Sequence, residues 1–146
     1  MYHYRDCGLD NVYLKNGYNE IESAYGPACS INDLEGLHMA IGLQILECSE
    51  RLTGQEIKFL RKEMDLSQAQ LSEIIGVSEN SIRGWENNRQ VVTSPSDRLI
   101  RILYNEHATH GSEIRKALEK LSEMTVSEHC LRIELEATDA GWKTAA

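Results

Sequence analysis

Histidines, cysteines and one cluster of arginine and asparagine are the places in these 146 residues where side-chain type and spacing could do chemistry. His107-x-x-His110 would set two imidazoles one helical turn apart, and His129-Cys130 would join an imidazole to a thiol. A hydrolytic metal site also needs a third ligand and a positioned carboxylate, and neither pair has them at suitable spacing. Both pairs read as surface groups near a helix end, so no catalytic residue, metal or cofactor is expected. Cysteines at 7, 29, 48 and 130 form no Cys-x-x-Cys and read as thiols, not a disulfide scaffold. Cys48, on an otherwise apolar helix, reads as core.

The other cluster holds more. Asn80, Arg83, Gly84 and Asn87 recur at three- and four-residue spacing, which puts them on one helix face opposite Ile82 and Trp85. Such a face is suited to base edges. Arg83 can donate two hydrogen bonds to guanine O6 and N7, and Asn80 can pair with adenine N6 and N7. Glu79, at the helix start, either accepts from cytosine N4 or complements the helix dipole. Ser67, Ser78 and Ser81 are candidate neutral phosphate contacts, helped by the helix N-termini. Arg89, just past the helix, is a candidate phosphate clamp. Lys58, Arg61 and Lys62 read first as a solvated helix face and second as phosphate contacts.

Net charge is −8, which alone argues against a polyanionic partner. Its distribution does not. Residues 1–50 carry 2 basic and 8 acidic side chains, residues 51–101 carry 8 and 7, and residues 102–146 carry 5 and 8. The reading cluster lies in the only third that is not acidic.

Around the cluster, the elements follow from pattern. Val12–Lys15 and Tyr18–Ile21 flank Asn16-Gly17, a pair suited to a two-residue hairpin turn, and Gly26-Pro27 then breaks the chain. Ser30 or Asn32 can cap a helix with Leu34, Leu37, His38, Ile41, Ile45 and Leu46 on its apolar side, running to about Cys48. Thr53 and Glu56 form a capping box before Ile57, Leu60 and Met64. Ser67 and Gln70 repeat that signature for a helix ending at Gly76, and Ser78 starts one running to about Asn87. Ser94-Pro95 opens another, with proline at its first position and Leu99, Ile102, Leu103 and Tyr104 inward. After Gly111-Ser112 a helix faces inward through Ile114, Leu118 and Leu121. Leu131, Ile133 and Leu135 alternate with charged residues as a strand does.

Two short helices joined by a tight turn need a small residue where they touch and a turn residue tolerant of positive φ. Ser72 and Gly76 supply these, and Leu71, Ile75, Val77, Ile82 and Trp85 supply inward positions. The stretch Leu66–Asn87 resembles the Xre/Cro helix-turn-helix family, and the likeness extends from about Thr53 to Tyr104. The resemblance implies a lambda-repressor-like five-helix domain whose third helix enters the major groove of DNA. It also implies that Gln68 touches a phosphate and braces the reading helix. Gly84 departs from the family, where many relatives carry a long polar side chain. The glycine either allows close backbone approach or leaves one base unread.

The fold class expected is therefore mainly α. Residues 1–50 form a small β-hairpin and helix unit, 51–108 the helix-turn-helix domain, and 109–146 a helix and strand suited to dimerisation. One module neutralises few phosphates, so a homodimer on a palindromic operator is expected. The acidic first unit suits a basic protein. Its order before an Xre-type domain resembles the MqsA antitoxin family, which implies a small toxin as partner and a zinc-bound N-terminal unit. Tyr4-Arg5-Asp6-Cys7-Gly8 is similar to that family's Cys-x-x-Cys-Gly, with Tyr4 at the first cysteine. With the second cysteine pair absent and Cys29 alone, zinc is not expected to bind. A transcriptional repressor that doubles as an antitoxin is the first reading; an interaction adaptor without DNA binding is the alternative. No run of apolar residues approaches the roughly 20 needed to span a bilayer, and Met1–Asp6 has no signal-peptide pattern. A cytoplasmic setting without membrane contact is expected.

Overall fold

Hydroxyl side chains start the helices at the centre of the chain. Thr53 Oγ1 accepts from Glu56 N (3.2 Å) while Glu56 Oε1 accepts from Thr53 N (2.8 Å), opening α2 (Gly54–Glu63). Ser67 and Gln70 make the same reciprocal pair for α3 (Gln68–Ile75). Ser78 Oγ accepts from Ser81 N (3.1 Å) at the head of α4 (Glu79–Glu86). Each pair satisfies amide groups that a helix start leaves unbonded. Between α3 and α4 the chain turns at Gly76, φ 76°, where a side chain would be strained. Thr93 precedes α5 (Ser94–Ala108), and Pro95 falls at its second position, one later than expected.

The computed structural model describes residues 1–48, 50–111, 113–124 and 132–145. Six helices and three two-stranded antiparallel sheets make up the described elements, so the architecture is mainly helical with small β pieces. The strand pairing differs from expectation. β1 (Tyr2–His3) pairs with β2 (Tyr13–Leu14), and β3 (Tyr18–Ser23) pairs with β4 (Gly26–Ile31). Asn16-Gly17 is thus the junction between two sheets, with Gly17 O accepting from Asn32 N (2.9 Å). The hairpin tip is Ala24-Tyr25 instead. There Ser23 Oγ accepts from Tyr25 N (3.2 Å) and donates to Gly26 O (2.7 Å). Pro27 does not break the chain; it sits in β4 opposite Glu22, tolerable because both strands of a two-stranded sheet are edges.

Since β4 runs to Ile31, the helix that follows, α1 (Leu34–Leu46), is capped by neither Ser30 nor Asn32. Asp33 caps it, accepting from Gly36 N (3.1 Å). Ile41 and Ile45 point inward, Leu34 is exposed, and Cys48 lies past the helix end and is exposed, contrary to its reading as core. Gly42 permits close packing: a Cβ there would overlap the Tyr104 phenol. Tyr104 itself is almost wholly buried.

The core joins Ile57, Leu60, Met64, Leu71, Ile74, Ile82, Trp85, Val92, Ile100 and Leu103. Ile100 replaces Ile102 on the inward stripe of α5; Ile102 is 46% exposed. Ile100, Leu103, Tyr104 and Ala108 follow the three- and four-residue recurrence of a helix face, and position 102 falls off it. Buried Asp97 accepts from Leu52 N (2.8 Å) and from Arg101 Nε (3.0 Å). Arg101 then donates to the carbonyls of Leu46, Cys48 and Glu50, tying the end of α1 to α5.

On α6 (Glu113–Glu123) the expected inward face is largely turned outward. Ile114 and Leu121 are exposed, and Leu118 is half-buried against the core. Arg115 and Glu119, paired at 3.0 Å, line a cleft against α3 instead. The expected strand at 131–135 is displaced. β5 (Leu135–Thr138) and β6 (Gly141–Thr144) form a hairpin, residues 132–134 precede it without strand structure, and Leu131 lies outside the described residues. No described helix is long and apolar enough to cross a membrane.

Candidate nucleic-acid interface

α3 and α4 are held together by Leu71, Ile75, Ile82 and Trp85, all buried, with Val77 half-buried at the turn. Ser72 is buried where the helices meet, and its carbonyl accepts from both Gly76 N (2.9 Å) and Val77 N (3.0 Å).

The rear of α4 is fixed by charge. Arg61 Nε and Nη2 donate to the two carboxylate oxygens of Glu86 at 2.7 and 2.9 Å, and Arg61 Nη1 donates to Leu66 O (2.9 Å). The two side chains are only 10% and 3% exposed. Arg61 is therefore not part of a solvated face, nor free for phosphate. It crosses the core from α2 to the last turn of α4. Gln68 Nε2 adds a third donor to Glu86 (3.2 Å), so Gln68 does brace α4. A forked guanidinium–carboxylate pair out of water fixes orientation as well as distance. No spacing rule pointed to Arg61 and Glu86; the available hint was a glutamate one residue after a buried tryptophan.

The front of α4 is open. Asn80, Arg83 and Asn87 are exposed along one stripe, and Ser81 is half-buried beside it. Arg83 Nη2 donates to Glu79 Oε1 (3.2 Å), so in the free protein the acidic residue at the helix start holds the arginine. The Ser78 and Ser81 hydroxyls are 2.8 Å apart. Arg89 is exposed just beyond the helix. Gly84 is the exception, buried and not open on the stripe, because the Gln90 side chain lies over it.

On α2, Lys58 and Lys62 are exposed and line a cleft of about 380 Å³ with Asp6, His38 and Glu63. One wall of this cleft is a hydrogen-bonded chain that sequence reading did not find. A carboxylate only accepts, so His38 Nδ1–H donates to Glu63 Oε1 (2.7 Å), while Nε2 is hydrogen-bonded with the Tyr4 hydroxyl (2.8 Å). The chain links the first residues to α1 and α2. Burial pushes the Tyr4 phenol above its ordinary value, with Cys7, Asp6 and Glu63 adding to the effect.

The zinc unit implied by the MqsA likeness does not fit these residues. Tyr4, standing at a cysteine position, is buried and engaged with His38, and the Cys7 thiol donates to Tyr4 O (3.9 Å). Among the described residues no three His, Cys, Asp or Glu side chains converge as a metal site. His107 and His110 are exposed at the end of α5, while His129-Cys130 lies outside the described residues.

A family model described as helix-turn-helix matches residues 57–103, the span that runs from within α2 through most of α5. No curated protein matches the chain. The matched span is similar to helix-turn-helix modules of Xre type. DNA binding and transcription regulation are the class of function that it supports.

Proposed function

We propose that this protein is a sequence-specific transcriptional repressor, acting in the cytoplasm as a homodimer on a palindromic operator. The observation that carries this reading is the contrast between the two sides of α4. Its rear is anchored by a buried ion pair, while its front presents Asn80, Arg83 and Asn87 to solvent. In this reading α4, the second helix of the helix-turn-helix pair, lies in the major groove. Arg83 reads guanine and Asn80 reads adenine, while Gln68, Ser78, Ser81 and Arg89 meet phosphates.

Support for a second copy comes from α6. Ile114, Ala117, Leu121 and Met124 recur at helical spacing and are all exposed. An amphipathic helix that leaves its apolar stripe in water is incomplete as a monomer. The hairpin β5–β6 adds to this, since Trp142 is 75% exposed beside Leu135 and Ala137, and two strands alone are marginal in water.

A toxin partner is the finer part of the proposal. β3 is almost entirely exposed and carries Glu20 and Glu22, within a first third of net acidic charge that suits a basic protein. The same observation is equally compatible with the adaptor reading, in which that unit acts and α4 does not. Anisotropy titration of the full chain against its own upstream DNA separates them. The repressor reading expects binding that weakens steeply with salt and exceeds binding to scrambled DNA by at least about 10³-fold. Equal affinity for both DNAs, or none, favours the adaptor.

A further inference from the structure

The exposed stripe of α4 has a gap. Gly84 lies four residues after Asn80 and three before Asn87, so a side chain there would stand beside both. What covers its Cα is neither core nor solvent. A Cβ at Gly84 would sit 3.3 Å from Gln90 Oε1, 3.4 Å from Gln90 Cδ and 3.8 Å from Gln90 Cγ. The Gln90 carboxamide therefore occupies the station that a side chain at 84 would use.

Its delivery is fixed by the backbone. α4 ends at Glu86 with Asn87 as its cap, and Asn88 takes a left-handed conformation, φ 59°, that folds the chain back. Arg89 N and Gln90 N then both donate to Gly84 O, at 2.9 and 3.3 Å. The turn is thus bonded to the very residue whose side chain is missing. Asn88 Oδ1 also accepts from Gly54 N (3.2 Å), pinning the turn to the start of α2. Gln90 is exposed, and among the described residues its carboxamide has no hydrogen-bond partner. A glutamine held against bare helix, with one donor and one acceptor end unspent, is equipped to pair with adenine N6 and N7.

We infer that Gln90 is a specificity-determining residue, reading an A·T pair in place of the side chain absent at Gly84. This rests on the reading of α4 as the groove helix. It removes the alternative that position 84 leaves a base unread: the reader is supplied from outside the helix.

Enrichment of a randomised duplex pool by the full-length protein tests it, with wild type, Arg83→Ala, Gln90→Ala and Gly84→Gln/Gln90→Ala compared. Thermal midpoints confirm that each variant folds. Gln90→Ala is expected to lose about tenfold preference for A·T at one position and to leave the others intact. Gly84→Gln in that background should restore the preference, because the carboxamide returns to the same place. A Gln90→Ala motif identical to wild type, with Arg83→Ala altered, overturns the inference alone. Uniform weakening on every sequence also overturns it, since a phosphate contact does that. Wild type enriching no motif overturns both the inference and the underlying reading.

Discussion

Arg61 and Glu86 form a forked ion pair, with N···O distances of 2.7 and 2.9 Å, that crosses from α2 to the last turn of α4. Removing one partner strands the other without water. Glu86→Ala should cost about 3–5 kcal/mol in urea unfolding, with loss of DNA binding as α4 loosens. Replacing both, as Arg61→Met/Glu86→Leu, should cost much less because no charge is left unpaired. Arg83→Ala, which breaks a half-exposed pair with Glu79, should move stability by about 0.5 kcal/mol or less.

Two glycines in helices should respond oppositely to alanine. At Gly42 the new methyl meets the buried Tyr104 ring, which has nowhere to go, so Gly42→Ala should destabilise by about 1–3 kcal/mol or more. At Gly84 it meets only the end of Gln90, a flexible and exposed side chain. Gly84→Ala should therefore raise the thermal midpoint, by the equivalent of about 0.5–1 kcal/mol, while displacing Gln90. Calorimetry on the two variants measures both signs.

Alkaline pH should destabilise the protein through its buried phenols. Burial raises Tyr104 above 10.0, and Glu63 raises it further; Tyr4 moves the same way. The neutral phenol is the form that folding favours. Its contribution is complete below the unfolded value of 10.0 and disappears as pH climbs through the higher folded value. Tyr104→Phe has no proton to lose there. Its stability should fall less than that of wild type above pH 10.0, as followed by circular dichroism against pH.

The apolar stripe on α6 should govern assembly. Ile114→Glu/Leu121→Glu places charge on residues already exposed, so the monomer fold should persist. Sedimentation should show wild type as a dimer and the variant as a monomer with much weaker operator binding. A wild-type monomer at micromolar concentration contradicts the dimer.

Local signals were the legible ones. Thr53-x-x-Glu56 and Ser67-x-x-Gln70 each announced a helix start because both halves of a capping box lie within four residues. Gly76 and Ser72 announced the turn just as locally, one by tolerating positive φ and the other by its small size. Asn80 and Arg83 were legible as an outward pair from helical spacing alone. What sequence left hidden is joined across distance. Arg61 meets Glu86 over 25 residues, Tyr4 meets His38 over 34, and Arg101 reaches the Leu46 carbonyl over 55. Short β pairing misled too, since Asn16-Gly17 has the chemistry of a hairpin tip but its flanking strands found other partners. On α6 amphipathicity was read correctly but its direction only in part, since Leu118 packs against the core while Ile114 and Leu121 stay exposed.

In the proposed reading the front of α4 lies in the major groove, with Arg83 on a guanine. Methylation of guanine N7 marks that groove atom by atom. On the enriched duplex, wild type should fail to bind when one guanine in each half-site is methylated, and Arg83→Ala should be indifferent to methylation at that same guanine. Identical interference patterns for the two proteins, or interference at no guanine, would contradict it.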